Sequence, residues 1–379
     1  MIKVVLAVTN DIVTDNRLHK VAKTLKGNGF NPLIVGRQLK NSLPLTHLPI
    51  ATCRLKILKD NGPLFYVFYN IQLFFFLLKT KFEVIVANDL DTLPACKLAA
   101  KLKNAELVFD SHELFTEVPE LVGRDIVKGI WKRMERMFIP GTKYAYTVCQ
   151  SIADVYKNEY KLDFEVVRNV GRFRFENELP QREANKKKKI IYQGVLNKGR
   201  GLELVIEAMR YLSDCELIIA GSGDIEDELK QLVEKLNLQE KCIFLGKVPY
   251  KELWNYTSTA DLGFSLEEDL GLNYRYALPN KLFDYVQARI PVLVSDLPEM
   301  SALVEQFSIG EVVRERIPEK LAMQILDMLN DEKANQARFI NLSIAARELC
   351  WEREQDKLIV LYRKVHDAVI HKSVRKRKL

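Results

Sequence analysis

The first half of the chain alternates short apolar runs with segments of helical periodicity. The apolar runs predict β-strands at residues 3–9, 31–36, 82–89, 105–113 and 145–151. The clearest helices between them are predicted at residues 16–28, 92–102 and 152–160. Continuous apolar runs are typical of parallel strands buried on both faces. Helices between such strands imply right-handed crossovers and a doubly wound sheet.

A polar, basic stretch at residues 171–189 interrupts this alternation and predicts a linker between two domains. Beyond it, strands are predicted at residues 189–196, 215–223, 241–248, 260–266, 291–295 and 310–314. The chain is therefore predicted to be an α/β protein with two Rossmann-like domains, at residues 1–170 and 190–350. One long helix is predicted at about residues 335–370, and residues 351–379 are expected to pack back on the first domain.

One strongly apolar segment, residues 65–78, is too short to cross a bilayer comfortably as a helix. Two interpretations stay open: a helix packed between a sheet and another domain, or a helix lying in a membrane interface beside the lysines that follow it. The basic, amphipathic segment 129–138 favours membrane contact, which is expected to depend on Lys132, Arg133 and Arg136.

The composition is that of a soluble globular protein, with 47% hydrophobic and 28% charged residues. The formal charge of +7 suits anionic substrates or an anionic membrane face, but the basic runs lack interleaved aromatic residues, so nucleic acid is not an expected partner. Six scattered cysteines without C-x-x-C spacing predict neither a zinc site nor a disulfide framework, and a cytoplasmic location is expected. The N-terminus predicts a strand, too short for a signal peptide.

Polar residues collect where predicted strands end, which is where open α/β sheets bind ligands. Asp89 and Asp91 have the spacing of a metal-binding D-x-D pair, but the favoured interpretation is that they cap the following helix, and no metal is predicted. His112 follows another strand, where a structural and a functional role are both open. The sequence GSGD at 221–224 lacks the third glycine of a dinucleotide fingerprint, which favours a tight turn at the base of a nucleotide pocket over an NAD site.

Two segments of the second domain carry cations next to a predicted helix N-terminus. In NKGRG, at 197–201, Lys198 and Arg200 can neutralise a diphosphate, although an exposed basic turn has the same local sequence. The second segment presents a proline, an amide, a cation and a carboxylate, namely Pro279, Asn280, Lys281 and Asp284. This set suits a shelf for a diphosphate and a ribose.

Together these segments resemble glycosyltransferase family 4, whose members are retaining enzymes of the GT-B fold. The resemblance covers nearly the whole chain and is carried by TDNRLHKVAKTLKGNGF, by VIVANDLDTLPACKLAAKLKNAELVFDSHELFTE, by GVLNKGRGLELVIEAM with LIIAGSGD and IFLGKVPYKEL, and by LPNKLFDYVQARIPVLVSDLPEM. It implies two Rossmann-like domains facing each other across a cleft. The donor, a UDP- or GDP-sugar, is expected mainly on the second domain and the acceptor on the first, with no further cofactor.

The resemblance also implies a role for each matched residue. Catalytic roles are implied for His112, Arg200 and Lys281. Donor binding is implied for Lys198, Gly199, Val248, Asn273, Pro279, Asn280, Leu282 and Asp284, with Asp284 on the ribose hydroxyls. Acceptor-side roles are implied for Asn10, Asp11, Asp15 and Arg17, in and after a loop that lacks the glycines usual in the family.

The sequence departs from the family at two positions. Tyr276 stands where the E-x7-E motif places its first acid, eight residues before Asp284, and Val195 stands where an arginine is frequent. The candidates to replace the acid are Asn273, Tyr274, Glu267 and Glu268. Lys281 is the candidate to replace the arginine.

The expected activity is transfer of a hexosyl or N-acetylhexosaminyl group to a glycan or lipid-linked glycan in cell-surface polysaccharide synthesis, with peripheral contact to the inner face of the membrane. Retaining transfer requires stabilisation of the departing diphosphate. Three alternatives stay open. An epimerase shares the fold, an NAD-dependent dehydrogenase would need a glycine fingerprint after the first strand, and a non-catalytic partner protein would explain Tyr276.

Overall fold

The structure is a computed structural model of the 379-residue chain. It describes residues 1–45, 49–57, 59, 62–118, 121, 123–180 and 187–377. The chain divides into two compact units: unit 1 comprises Met1–Asn169 with Glu354–Leu379, and unit 2 comprises Val170–Arg353. The stretch predicted as a linker, 171–189, falls in unit 2. Its residues 181–186 lie outside the described residues.

Unit 1 is built on a seven-stranded sheet of order β3-β2-β1-β4-β5-β6-β7, in which every pair is parallel. The strands are β1 (Ile2–Ala7), β2 (Phe30–Arg37), β3 (Ala51–Leu55), β4 (Val84–Asn88), β5 (Glu106–Ser111), β6 (Tyr144–Thr147) and β7 (Glu165–Val166). The first helices are α1 (Asn16–Gly27), α2 (Pro63–Lys79), α3 (Leu93–Lys103), α4 (Asp125–Phe138) and α5 (Gln150–Tyr160). The continuous apolar runs are therefore buried parallel strands, as predicted.

The helices of unit 1 are divided between the two faces of this sheet. Helices α2 to α5 each precede a strand that lies further along the sheet in one direction, whereas α1 connects β1 to β2 in the other direction. Because such crossovers are right-handed, α1 lies on one face and α2 to α5 on the opposite face. Among the helices of the described ranges, none is long and apolar enough to span a membrane.

Unit 2 is built on a six-stranded sheet of order β10-β9-β8-β11-β12-β13, again parallel throughout. Its strands are β8 (Lys188–Gln193), β9 (Cys215–Ala220), β10 (Cys242–Gly246), β11 (Leu262–Ser265), β12 (Val292–Ser295) and β13 (Gly310–Val313). Its helices are α6 (Leu202–Ala208), α7 (Glu226–Lys235), α8 (Tyr250–Ser258), α9 (Leu272–Arg275), α10 (Asn280–Gln287), α11 (Pro298–Phe307), α12 (Pro318–Asn330) and α13 (Glu332–Glu348). The predicted class, two Rossmann-like α/β domains, is confirmed by these two sheets.

The prediction of one long C-terminal helix at about 335–370 is wrong. Helix α13 ends at Glu348, and α14 (Trp351–Arg377) begins after a break of two residues. Gln287 stabilises this break, because its side-chain amide donates hydrogen bonds to the carbonyls of Ala346 and Leu349 at 2.9 and 3.0 Å. These are carbonyls that a helix C-terminus leaves without an intrahelical partner.

From Glu354 onward, α14 belongs to unit 1. Its buried side chains recur at helical spacing and include Leu358, Tyr362 and Val365. The Tyr362 ring meets the ring of Phe30 at the start of β2, with centroids 5.5 Å apart. Helix α14 therefore packs beside the start of β2 and beside α1.

Helix α3 is capped from a neighbouring helix. The side chain of Asn70 in α2 accepts a hydrogen bond from the backbone amide of Ala95 at 3.1 Å and donates to the carbonyl of Asp91 at 2.7 Å. The expectation that Asp89 and Asp91 cap this helix is therefore wrong, because both carboxylates face other partners. One of the two polar residues in the apolar segment joins α2 to α3.

Replacing Asn70 with alanine is expected to lower the free energy of unfolding by about 1–3 kcal/mol, since an amide and a carbonyl both lose their partner. Urea denaturation measures this change. Gln72→Ala is the matched control, because Gln72 is exposed on the same helix. Equal stability of the two variants would contradict the capping role.

Candidate active site

The sheet of unit 2 has its topological switch point between β8 and β11, from which the chain winds toward opposite edges. Open α/β sheets bind ligands at the carboxyl ends of strands at such a point. Gln193 is the last residue of β8, and Glu267 follows β11 by two residues. The predicted site residues of unit 2 collect around these two positions.

Glu267 is the centre of the first cluster and is only 1% exposed. Its Oε1 atom lies 2.9 Å from Nζ of Lys281 and 3.4 Å from Nη1 of Arg200. Its Oε2 atom accepts a hydrogen bond from the Ser265 hydroxyl at 2.7 Å. The structure thus joins the two cations that the sequence placed 81 positions apart, and it joins them through a carboxylate.

The charges of this cluster stabilise one another. Burial alone would raise the pKa of Glu267, but Lys281 and Arg200 offset that effect and lower the pKa below its usual value. Each cation also lies over an aromatic ring: Lys281 is 4.0 Å from the Tyr192 centroid and Arg200 is 5.1 Å from the Tyr274 centroid. Two cations around one carboxylate leave an excess positive charge for an anion.

Close backbone approach lets the Arg200 loop reach Glu267. A Cβ atom at Gly201 would lie 2.2 Å from the carbonyl oxygen of Leu266, and Gly201 has a φ of +73°, which favours glycine. Gly199 is buried and its carbonyl accepts from the amide of Glu268 at 2.8 Å. Lys198 is exposed, so its charge remains in contact with solvent at the edge of the cluster.

The GSGD segment forms the floor beside this loop. A Cβ atom at Gly221 would lie 1.8 Å from the carbonyl oxygen of Gly194, so only glycine lets the loops after β9 and β8 approach this closely. The amide of Gly194 in turn donates to the carbonyl of Ala220 at 2.9 Å. The glycines are explained by this contact between loops, without a dinucleotide.

Helix α10 presents its N-terminus in the same region. Pro279 is the N-cap residue, and no side chain caps the helix. Asn280 is exposed, while Lys281 and Leu282 are buried. A helix N-terminus with amides left uncapped and a cation in its first turn is a favourable place for a phosphate group.

Asp284 lies one turn into α10 and is held by two side chains. The Gln193 amide donates to Oδ2 at 2.7 Å, and the Tyr250 hydroxyl donates to Oδ1 at 3.3 Å. Thr257 orients Gln193 by donating to its Oε1 atom at 2.6 Å. The negative charge of Asp284 raises the pKa of Tyr250 above its usual value. These contacts fix the Asp284 carboxylate in one orientation.

The remaining predicted donor residues surround this core less directly. Val248 is half-buried just after β10, and Asn273 is half-buried on the short helix α9. Tyr276, eight residues before Asp284, is the C-cap residue of α9 and is also half-buried. Of the four candidates to replace that acid, Glu267 contacts both Arg200 and Lys281, whereas Glu268 lies 3.6 Å from Arg316.

The predicted site residues of unit 1 gather where β1, β4 and β5 end. His112 lies between two carboxylates: its Nδ1 atom is 3.2 Å from Asp89 Oδ2, and its Nε2 atom is 3.2 Å from Asp110 Oδ2. The backbone amide of His112 also donates to Asp89 Oδ1 at 2.8 Å. Asp89 has a φ of 61°, an uncommon conformation for a residue with a side chain.

Arg17 contacts Asp110 on the buried side of this cluster. It is 3% exposed, and its guanidinium donates to Asp110 at 2.8 Å and 3.3 Å and to the Val167 carbonyl at 3.0 Å. Burial would raise the pKa of Asp110, but Arg17 and His112 lower it well below its usual range. Arg17 therefore lies behind His112 and holds Asp110, while its implied acceptor-side role stays a prediction.

The other acceptor-side residues lie in the loop after β1. Asn10 is exposed. Asp11 pairs with Arg54 at 2.7 Å, and Asp15 caps α1 by accepting from the amide of Leu18 at 3.0 Å. Two of the three therefore have a structural contact that stabilises the loop.

Asp91 completes the unit 1 cluster at the switch point between β1 and β4. Its Oδ2 atom accepts from the Thr9 hydroxyl at 2.6 Å. Burial and the charge of Asp89 raise the pKa of Asp91 to about 8. Asp89 and Asp91 thus face different partners, and within the described ranges no three His, Cys, Asp or Glu side chains form a metal-binding group.

Residues 174–343 match the family of glycosyl transferases group 1. The matched region contains Gln193, Arg200, Glu267, Lys281 and Asp284, which form the unit 2 site. It covers less than half of the chain, so the match describes unit 2.

Two curated relatives align with shorter parts of the chain. An uncharacterized glycosyltransferase of Methanocaldococcus jannaschii is 28% identical over 149 residues, which are 38% of this chain and 36% of that protein. The N-acetylgalactosamine-N,N'-diacetylbacillosaminyl-diphospho-undecaprenol 4-alpha-N-acetylgalactosaminyltransferase of Campylobacter jejuni is 44% identical over 71 residues, 18% of this chain and 20% of that protein. The chain therefore spans about a third or less of the length of these two relatives.

Solved structures extend the similarity to the whole fold. Sucrose-phosphate synthase from Thermosynechococcus elongatus has a TM-score of 0.78 at 16% identity, covering 97% of this chain and 100% of that one. HepE of Anabaena, in complex with UDP and glucose, has a TM-score of 0.74 at 15% identity, covering 96% and 100%. The glycosyltransferase WaaG has a TM-score of 0.71 at 13% identity, covering 94% and 98%. At these identities the likeness shows the fold, and it confirms the predicted GT-B type.

Several site residues were missed by sequence reasoning. Gln193 carried a usable signal, because it is the polar residue that ends an apolar strand. Asp110 carried a similar one, as a carboxylate inside the apolar run of β5. Tyr250 and Thr257 carried none, since their contacts with Asp284 and Gln193 depend on how α8 packs on α10.

The stabilising effect of His112 should disappear at high pH. Burial lowers the pKa of His112, but Asp89 and Asp110 outweigh it and raise the pKa from 6.5 to about 9. A raised pKa means that the folded state holds the proton more tightly, so the contribution is complete below pH 6.5 and is lost as the pH rises through about 9. His112→Gln is expected to cost about 1–3 kcal/mol of unfolding free energy at about pH 6 and much less at about pH 10.

Urea denaturation at several pH values measures this difference. His371→Gln, an exposed histidine on α14, is the control and should follow the unsubstituted protein at every pH. A cost for His112→Gln that is the same at all pH values would contradict the charged pairing.

Proposed function

We propose that the protein is a retaining glycosyltransferase that moves a hexosyl or N-acetylhexosaminyl group from a nucleotide diphosphate donor. The observation that carries the proposal is the convergence of Arg200 and Lys281 on buried Glu267, beside the uncapped N-terminus of α10. Two cations and a helix N-terminus stabilise the charge that grows on a departing diphosphate, which is the main demand of this reaction.

Each remaining part of the unit 2 site has a place in this proposal. Asp284, held by Gln193 and Tyr250, accepts hydrogen bonds from the two ribose hydroxyls of the donor. Glu267 takes the role of the family's first acid at the donor sugar, in place of Tyr276. The departing phosphate oxygen takes the proton of the acceptor hydroxyl on the same face, so a carboxylate nucleophile is not required. The four matched stretches support assignment to glycosyltransferase family 4.

The acceptor is proposed to be a glycan or lipid-linked glycan in cell-surface polysaccharide synthesis. The name of the Campylobacter relative includes a sugar-diphospho-undecaprenol, which is a lipid-linked sugar, and WaaG is a glycosyltransferase involved in lipopolysaccharide biosynthesis. HepE was solved with UDP and glucose, which supports a UDP-sugar donor ahead of a GDP-sugar. A cytoplasmic location is proposed, because none of the six cysteines, all of which lie within the described residues, is in a disulfide.

The first experiment is a thermal-shift panel with UDP, GDP, ADP, dTDP and their sugars, with and without EDTA. A nucleotide that binds the folded state stabilises it by about 2.7 kcal/mol at about a hundredfold excess over its Kd. Arg200→Ala and Lys281→Met are each expected to weaken binding about 10- to 100-fold, because each removes a charge-assisted contact. EDTA should have no effect.

Arg210→Ala is the matched control for this panel. Arg210 is exposed after α6, near the amino ends of the strands, so its loss should leave nucleotide binding unchanged. No shift with any nucleotide would contradict the donor site and favour the non-catalytic alternative. Interconversion of two donors without an acceptor would favour the epimerase.

Glu267→Gln separates sugar recognition from diphosphate binding. Glutamine keeps an oxygen that can accept from Lys281 and Arg200, so the variant should bind the free nucleotide diphosphate within about threefold of the original protein. Loss of the carboxylate charge at the donor sugar should slow release of diphosphate from the sugar donor about 100-fold. Calorimetry and a diphosphate-release assay measure the two quantities. Glu268→Gln is the control, since Glu268 pairs with Arg316 at the surface. Equal loss of both functions would contradict the assigned role.

A further inference from the structure

Helix α2 has two apolar faces, and only one of them is in the core. Phe65, Tyr69, Leu73 and Leu77, spaced by four residues, are buried. On the opposite side of the helix, five large apolar side chains are between 44% and 56% exposed: Leu64, Val67, Phe68, Ile71 and Phe75. A surface helix normally carries polar residues on its outer side. The outer side of α2 therefore needs an explanation.

The neighbouring helices extend this apolar area. Leu98 and Leu102 of α3 are exposed, and so are Ile126, Ile130 and Met137 of α4. The last three share one side of α4, at spacings of four and seven residues. The five exposed residues of α2 and these five of α3 and α4 together define the α2–α4 surface.

The three helices form one continuous layer. They lie on the same face of the sheet, because all three crossovers run in the same direction along it. Helix α2 packs against α3 and α3 against α4. The Tyr66 ring of α2 also meets the Trp131 ring of α4, with centroids 4.9 Å apart. The exposed apolar side chains therefore point away from the sheet as a group.

Positive charge borders this surface. The last turns of the three helices carry Lys79, Lys101, Lys103 and Arg136. The helices contain two acidic residues, Asp125 and Glu135, and Glu135 is buried against Lys132 at 2.8 Å. Arg133 is exposed, on the same side of α4 as Ile130 and Met137. An apolar area with cations around and within it matches the two layers of an anionic bilayer, acyl chains and phosphate headgroups.

We propose that the α2–α4 surface docks on an anionic lipid bilayer, with the side chains of α2 inserted at the boundary between headgroups and acyl chains. This inference deepens the proposed function, because a lipid-linked acceptor would be reached from the bilayer that unit 1 contacts. The surface belongs wholly to unit 1, while the donor is proposed to bind unit 2. The two proposals can therefore fail separately.

The positive charge of the α2–α4 surface favours an anionic bilayer over a second copy of the chain as its partner. A symmetric dimer through this surface would place the same patch of each copy against the other. The cations of the helix ends and Arg133 would then face like charges, which repel. An anionic bilayer instead brings phosphate groups to these cations, and each basic residue near the surface then adds to the attraction.

The test is co-sedimentation of the full-length protein with vesicles of phosphatidylglycerol and phosphatidylcholine, and with vesicles of phosphatidylcholine alone. The protein should sediment with the anionic vesicles more strongly than with the neutral ones. Phe68→Glu combined with Phe75→Glu should reduce binding to the anionic vesicles by about tenfold or more, since both side chains are exposed and neither supports the core.

Phe339→Glu combined with Ile340→Glu is the matched control. These side chains are similarly exposed on α13 of unit 2, so their loss should leave vesicle binding unchanged. Arg133→Glu tests the charge and should weaken binding to the anionic vesicles only. Lys132 is unsuitable for this purpose, because it pairs with Glu135 and Glu159 and its reversal would disturb the fold.

Failure of the unsubstituted protein to sediment with anionic vesicles would overturn the proposal, as would unchanged binding by the Phe68 and Phe75 variant. Sedimentation velocity tests whether a second copy of the chain occupies this surface instead. If the unsubstituted protein is a dimer that does not bind vesicles, and the Phe68 and Phe75 variant is a monomer, the surface serves self-association and the proposal is overturned. The nucleotide thermal shift, measured on every variant, reports on unit 2 alone. A lost vesicle interaction with an intact shift separates the two proposals.

Discussion

The buried carboxylate of Glu267 is the contact on which the unit 2 site depends. Removing a carboxylate from water costs several kcal/mol unless cations and hydrogen bonds accompany it. Arg200 and Lys281 supply the cations from two different segments, and Ser265 supplies a hydrogen bond. Glu267 therefore holds together a pair of positive charges that would otherwise repel. An anion arriving at this point meets cations that are already in place, which is the preorganisation that phosphate chemistry requires.

Unit 1 uses the same physical device at the ends of its own strands. His112 is held between Asp89 and Asp110, and Arg17 neutralises Asp110 from the buried side. In both units a charge is buried where parallel strands end, and its partners come from neighbouring loops. Such clusters favour one conformation of the loops, because moving one member would leave another charge buried without its partner.

The helices of unit 1 show how one element can serve two environments. Helix α2 contributes four side chains to the core and, through Asn70, caps α3. Its outer side remains apolar and exposed, which is typical of a surface that contacts a partner or a membrane. The sheet supplies the rigid base that sets α2, α3 and α4 side by side. The proposed bilayer contact of unit 1 agrees with the proposed lipid-linked acceptor and with a donor site proposed on unit 2.

The sequence by itself determined the fold class, most of the charged residues of the unit 2 site and the strands other than the short β3 and β7. Continuous apolar runs identify buried parallel strands without any tertiary knowledge, and Arg200, Lys281 and Asp284 stand at recognisable loop and helix starts. Only the tertiary structure decided how these residues are paired. The pairing of Glu267 with Lys281 and Arg200, the support of Asp284 by Gln193 and the break of the last helix each depend on contacts between segments distant in the chain. A local pattern records which side chains are polar, but it does not record which buried partner each of them meets.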